Sequence, residues 1–203
     1  MLDTPRPGRD EAWSRCARGT GYGLIPKDLM QQHRLSLLLS RDEIARGVRR
    51  LAGLIKNDYR GKCPLLVAVL KGSFIFLADL VREMDIPLTV DFIQAQSYQS
   101  AASTGKVNIS LKASSPLGDR HILLVEDIVD TGTTIAHLVD QLQREGPASL
   151  RLCALLDKPS RRLVPVQIDY LGFTVPDRFI VGYGLDLDQH YRYLPDIHLV
   201  EGL

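Results

Sequence analysis

One segment constrains this chain more than any other. In residues 121–134 an apolar run, Ile122 to Val125, meets two adjacent acids, Glu126 and Asp127. Asp130 then opens a short loop of small, hydroxylated residues, Thr131-Gly-Thr-Thr134. An amphipathic helix pattern follows at once, with Ile135, Leu138, Val139 and Leu142 on one face. This order predicts a buried strand, a tight loop and a helix. Two acids at a strand end can accept hydrogen bonds from a pair of ribose hydroxyls. The loop can turn backbone N–H groups and threonine hydroxyls toward a phosphate, and the helix N-terminus adds a favourable field. Gly132 lets the backbone approach closely. The residues therefore point to a site for a phosphorylated sugar.

The rest of the chain is consistent with an α/β protein. The 203 residues suit one domain with a sizeable core. Ser40-Arg-Asp-Glu43 is a capping box, and Ile44, Val48, Leu51 and Ile55 continue it as a helical stripe ending near 58–61. Pro64 to Leu70 is a short continuous apolar run, as expected of a buried parallel strand. Lys71-Gly72-Ser73 breaks it, and Phe74, Leu77, Ala78 and Val81 space as a helix face. Leu88–Ile93 is expected as a strand, Gln94–Lys106 as a polar loop, and Val107–Leu111 alternates briefly. Leu150–Leu156, Tyr170–Phe173, Phe179–Val181 and Ile197–Val200 are further strand candidates. Alternating strands and helices predict a doubly wound, mostly parallel sheet with flanking helices. Ligands of such sheets sit beyond the carboxyl ends of strands, where Lys71 and Glu126/Asp127 both fall. Residues 1–36, rich in Gly, Pro and Arg, are expected as a flexible leader and docking arm, with the domain proper over 37–203.

Composition removes several function classes. Hydrophobic residues are 45 % and charged residues 24 %, ordinary for a soluble globular protein. A net charge of +1 implies no bulk attraction to nucleic acid or to a membrane. No apolar stretch approaches the ~20 residues that span a bilayer. Cys16, Cys63 and Cys153 are scattered without Cys-x-x-Cys or zinc spacing, which fits a reducing cytoplasm. No Gly-x-Gly-x-x-Gly follows a strand, so a dinucleotide fold is not indicated.

Val125-Glu-Asp-Ile-Val-Asp-Thr-Gly-Thr-Thr134 resembles the phosphoribosyl diphosphate (PRPP) motif of the type I phosphoribosyltransferases. Four further segments resemble the hypoxanthine-guanine branch of that family: Val69-Leu-Lys-Gly-Ser73, Ser97-Tyr98, Leu156-Asp-Lys-Pro-Ser160, and Pro176 through Arg192. Together they cover the chain from about residue 40 to its end. The resemblance implies the family fold, with a small hood subdomain from the terminal segments. It implies purine salvage: PRPP with hypoxanthine or guanine would give IMP or GMP and pyrophosphate, with Mg²⁺ as cofactor. A homodimer or homotetramer is the implied assembly.

Carried over residue by residue, the resemblance gives Glu126 and Asp127 the ribose, and residues 130–134 (Asp130, Thr131, Gly132, Thr133, Thr134) the 5′-phosphate. Asp130 is the implied acid–base group at the purine N7. Lys71, Gly72 and Arg192 face pyrophosphate, and the peptide before Lys71 is often strained or cis in the family. Ser97 and Tyr98 begin a lid that excludes water. Lys158 donates to the 6-oxygen of the purine, Phe179 stacks on the base, and Ile180 offers its backbone to the base edge. Asp186 lies near base and metal; with Glu126 and Asp127 it makes the implied metal group. Two alternatives stay open: an enzyme of this fold that prefers another base such as xanthine, and a PRPP-sensing regulator without activity.

Overall fold

Burial of the two repeating patterns, every 3.6 residues in the helices and continuous in the central strands, builds the molecule. The structure is a computed structural model and describes residues 33–96, 108–110 and 116–203. In chain order the elements are β1 (Leu35–Leu39), α1 (Arg41–Asp58), β2 (Leu65–Leu70), α2 (Phe74–Met84), β3 (Thr89–Gln96) and β4 (Asn108–Ser110). They continue with β5 (His121–Val129), α3 (Thr133–Arg144), β6 (Ser149–Asp157), β7 (Tyr170–Thr174), β8 (Ile180–Val181) and β9 (Ile197–Val200).

The main sheet has six strands in the order β4-β3-β2-β5-β6-β7. All neighbours are parallel except the edge strand β4, which runs antiparallel to β3. Successive side chains of a strand alternate between its faces. Leu66, Ala68, Leu123, Val125, Cys153 and Leu155 pack with α1 and α2 in one core. Leu65, Val67, Val69, Ile122, Leu124 and Ala154 pack with α3 in the other. The central strands are apolar on both faces because both are covered by helix.

The helices start where the sequence signals. Ser40 caps α1: Glu43 N–H donates to Ser40 Oγ at 3.4 Å, and Ser40 N–H donates back to Glu43 Oε2 at 2.8 Å. Ile44, Val48, Leu51 and Ile55 are buried, as the stripe predicts. Arg50 on α1 reaches the edge strand β7 and donates to the carbonyls of Leu171 and Gly172 at 2.8 and 2.7 Å. That leaves the edge with fewer open acceptors.

Three boundaries differ from the sequence reading. β5 runs on through Glu126 and Asp127 to Val129, because β6 pairs with it as far as Asp157. The two acids therefore lie inside a strand, beyond the point where β2 stops pairing at Val125. β3 extends to Gln96, into residues expected as loop, since β4 pairs with Gln94–Gln96. β1 straddles the expected boundary at 36–37. It was not read as a strand, because its partner β9 is some 160 residues away in sequence. β1, β9 and β8 form a separate three-stranded antiparallel sheet. No helix among the described residues is long and apolar enough to cross a membrane.

Candidate active site

The chain leaves β2 toward β3 and β4 on one side, then returns to β5 and proceeds to β6 and β7 on the other. The strand order thus reverses between β2 and β5. Parallel sheets open a crevice at such a point, outside the carboxyl ends of the two strands. A cleft of about 240 Å³ lies there, lined by the Lys71–Gly72 turn, the Glu126–Asp127 pair and the Asp130–Gly132 loop.

The first wall is the turn after β2. The Leu70–Lys71 peptide is cis. Ser73 Oγ–H donates to the carbonyl of Val69 at 2.5 Å, tying the turn to the strand. Ser73 is the N-cap of α2 but makes no side-chain cap, so the first amides of that helix are not taken by its hydroxyl. Gly72 is required by space. A Cβ there would lie 1.6 Å from Asp127 Oδ2. On its other side the Gly72 carbonyl meets Gly184, where a Cβ would lie 2.2 Å from it and φ is +100°.

The second wall is the acid pair. Glu126 is buried, and its Oε2 has no hydrogen-bond partner among the described residues. Burial pushes its carboxyl well above the usual range, and neighbouring Asp127 adds to the effect. Burial also pushes Asp127 up to about 6, although the amides of Asp127 and Ile128 and the charge of Arg192 pull the other way. Two desolvated carboxylates in one cleft favour a ligand that brings donors or positive charge.

The third wall is the loop between β5 and α3. Gly132 is the N-cap of α3, at φ +84°, and supplies no side-chain cap. Asp130 does not cap this helix. Thr131 Oγ1 lies 3.4 Å from Thr133 N–H, a long contact. The opening amides of α3 and the hydroxyls of the loop form an anion-seeking surface, reinforced by the helix field.

Behind this loop lies the segment after β6. Lys158 N–H donates to the carbonyl of Val129 at 3.0 Å. Lys158 is buried, and burial lowers its pKa while Asp130 and Asp177 oppose that shift. Arg161 Nε lies 3.1 Å from Asp130 Oδ1, and its Nη1 lies 3.5 Å from Asp177 Oδ1. Arg162 Nε–H donates to the carbonyl of Asp130 at 3.1 Å.

The C-terminal segment closes the turn side. Arg192 donates to the Gly184 carbonyl at 2.7 Å and pairs with Asp186 Oδ1 at 2.7 Å. Gln189 Oε1 accepts from Lys71 Nζ at 3.3 Å and from Arg192 Nη2 at 3.4 Å, so one amide oxygen joins the two cations. Tyr183 hydrogen-bonds Asp79 of α2. Phe179 is 40 % exposed and Ile180 is buried in β8.

Most of the expected residues therefore converge. Lys71, Gly72, Glu126, Asp127, Asp130, Thr131, Gly132 and Thr134 all border one cleft. Lys158 stands behind it, and Asp186 and Arg192 reach it through Gln189 and Gly184. Thr133, Phe179 and Ile180 do not line the cleft. Ser97 and Tyr98 lie outside the described residues. Sequence reasoning missed Arg161, Arg162, Gln189 and Gly184. The only sequence sign of the two arginines was their position directly after the Leu156–Ser160 match.

The acids fit a divalent cation in kind: they are hard oxygen donors, desolvated, with one buried oxygen unpartnered among the described residues. They do not form a preformed cage. Asp186 is engaged by Arg192 and by the amide of Gln189 at 2.8 Å. No group of three or more His, Cys, Asp or Glu side chains that could hold a metal occurs among the described residues.

Comparison with known proteins gives the family and the fold. The family description "phosphoribosyl transferase domain" matches residues 36–188. A hypoxanthine-guanine phosphoribosyltransferase of Streptococcus pneumoniae is 42 % identical over 81 % of this chain and 92 % of its own length. One from Aquifex aeolicus is 42 % identical over 83 % of this chain and 96 % of its own. The crystal structure of a hypoxanthine-guanine phosphoribosyltransferase from Bacillus anthracis superimposes with a TM-score of 0.77 at 42 % identity, covering 81 % of this chain and 98 % of that one. By sequence profile, curated relatives and fold, the chain belongs to the phosphoribosyltransferase family, among its hypoxanthine-guanine members.

Proposed function

We propose that the protein transfers the phosphoribosyl group of PRPP to N9 of hypoxanthine or guanine, releasing IMP or GMP and pyrophosphate in purine salvage. The observation that carries this reading is the meeting, at one strand-order reversal, of the Lys71–Gly72 turn, two desolvated carboxylates and an uncapped helix N-terminus. Each suits a different part of PRPP.

The 5′-phosphate sits on residues 130–134, where the amides of Gly132, Thr133 and Thr134 and the threonine hydroxyls donate to it. Glu126 and Asp127 accept from the ribose 2′- and 3′-hydroxyls. Their charge also balances the positive charge that develops at the anomeric carbon as its bond to pyrophosphate breaks. Lys71, the Gly72 amide and Arg192 hold the leaving pyrophosphate; an arginine fork suits its paired oxygens. Lys158 donates to the 6-oxygen of the purine, which disfavours adenine because its amino group presents another donor. Phe179 stacks on the base, and Ile180 meets its edge through the backbone. As N9 bonds to the anomeric carbon, Asp130 takes the proton that the purine sheds at N7.

Mg²⁺ would be held by Glu126, Asp127 and Asp186, with most of its oxygen ligands from PRPP and water; when bound, it neutralises charge on the diphosphate. A homodimer or homotetramer is the proposed assembly. Most of the rate then comes from positioning and fixed electrostatics.

Turnover with PRPP, Mg²⁺ and each of hypoxanthine, guanine, xanthine and adenine tests the reading. Hypoxanthine and guanine are expected to react and adenine to be essentially inert. Efficient use of adenine would sink the base assignment. PRPP binding without turnover of any base would make the protein a sensor.

A further inference from the structure

The segment after β6 does more than carry Lys158. Arg162 is about four-fifths buried, with 17 % of its side chain exposed, as is its partner Asp157 with 14 %. Its guanidinium spans the ends of two adjacent strands. Nε–H donates to the Asp130 carbonyl at 3.1 Å, and Nη2–H to the Val129 carbonyl at 3.4 Å. Nη2 also bonds the Asp157 carboxylate, at the end of β6. Val129 and Asp157 are register partners at the ends of β5 and β6, and Asp130 and Lys158 are the residues that follow each strand. Lys158 N–H donates to the same Val129 carbonyl. One planar fork therefore sits at the point where the chains leading to Asp130 and Lys158 diverge.

From this geometry we infer that Arg162 is a positioning residue for the purine: it fixes the separation of Asp130 and Lys158, so that one base can meet both at its neighbouring N7 and 6-oxygen. The inference rests on the roles given above to Asp130 and Lys158. The phosphate side of the loop is held by other bonds. Leu163 and Val164 N–H both donate to the Thr131 carbonyl, at 2.9 and 3.1 Å, and the Ala136 amide bonds the Gly132 carbonyl at 2.9 Å. Losing the fork should thus loosen the base site and leave the phosphate site largely in place. Lysine is a poor substitute, because one ammonium on a flexible stem cannot reproduce a planar fork to three acceptors.

The test compares Arg162→Met and Arg162→Lys with wild type, using Asp130→Asn and Lys158→Ala as references. Each is assayed by steady-state kinetics with hypoxanthine and by direct titration of PRPP with Mg²⁺. For Arg162→Met, kcat/KM for hypoxanthine is expected to fall by about 10²-fold, the scale of a ~1 Å misplacement. The PRPP dissociation constant should change by less than about threefold, under ~0.7 kcal/mol. Arg162→Lys should recover less than about tenfold of the loss. Added guanidinium ion, used below denaturing concentration, should restore Arg162→Met more than it restores Lys158→Ala.

An unchanged kcat/KM in Arg162→Met would overturn the inference, as would an equal loss of PRPP affinity, which would make Arg162 a brace for the phosphate loop. Full recovery in Arg162→Lys would do the same. If both variants fail to fold, Arg162 is a residue the fold requires and the inference also falls. The underlying reading fails separately: Asp130→Asn should lose about 10²–10⁴ in kcat, and Lys158→Ala should raise KM for hypoxanthine. Normal kinetics in those two would overturn the assignment of the base site itself.

Discussion

Asp127 lines the cleft beside buried Glu126. Its carboxyl is pushed up to about 6 by burial, from an ordinary value of 3.8. Between those two pH values the folded chain holds more of this proton than the unfolded chain does. Stability from this group is therefore greatest below about pH 4 and falls as pH rises to about 6, then stays low. At about 1.4 kcal/mol per unit, the cost is on the order of 2–3 kcal/mol. Asp127→Asn removes the titration while keeping the shape. In ligand-free protein it should match wild type near pH 4 and be the more stable of the two above pH 6. Urea melts at pH 4, 5, 6 and 7 would show the gap opening with pH. A gap that is constant, or that closes as pH rises, would mean Asp127 is already satisfied in the free protein. Glu126, pushed up by the same burial and by Asp127, makes the free cleft costlier still. Both residues were legible in the sequence, because two adjacent acids after an apolar run have no packing use. Arg162 was not. In Ser160-Arg-Arg162 it reads as a surface charge, and only the fold brings it under the Asp130 loop.

At the scale of elements, the turn after β2 is locked from both sides. Asp127 of β5 presses on one face of Gly72 and Gly184 on the other. The two glycines should fail differently. A Cβ on Gly72 meets the end of a side chain, which can swing away. Gly72→Ala should thus fold well but lose PRPP affinity by tenfold or more, since Asp127 must leave its place. A Cβ on Gly184 meets backbone, and its φ of +100° strains any other residue. Gly184→Ala should lower stability by about 1–3 kcal/mol, the scale of overpacking in a tight site. Thermal melts with PRPP titration on both variants decide this, and equal damage in both would refute the distinction.

The helices and central strands were legible because their signals are local: a capping box, a stripe, a continuous apolar run. β1 and the pairing of β8 and β9 were not, because Leu35–Leu39 finds its register against Ile197–Val200 from the far end of the chain. The end of β5 is hidden in the sequence for a related reason. Polar residues looked like the end of the strand, whereas pairing with β6 carries it to Val129.

The whole molecule places its chemistry by topology. Two strands that are neighbours in space but separated by some fifty residues in sequence, β2 and β5, end side by side with helices leaving to opposite faces. Their carboxyl ends bring together a turn, an acid pair and a phosphate-seeking helix start that no single segment could supply. The C-terminal segment brings Asp186 and Arg192 against the turn after β2, and the segment after β6 adds Lys158. We propose that one PRPP molecule spans this junction. A crystal structure with PRPP, Mg²⁺ and 9-deazahypoxanthine, which lacks the reacting nitrogen, tests it most directly. The 5′-phosphate is expected on the amides of residues 132–134, the ribose hydroxyls on Glu126 and Asp127, the diphosphate at Lys71–Gly72, and the base between Phe179 and Lys158. A diphosphate bound at the 130–134 loop, or a ribose away from the two acids, would contradict it.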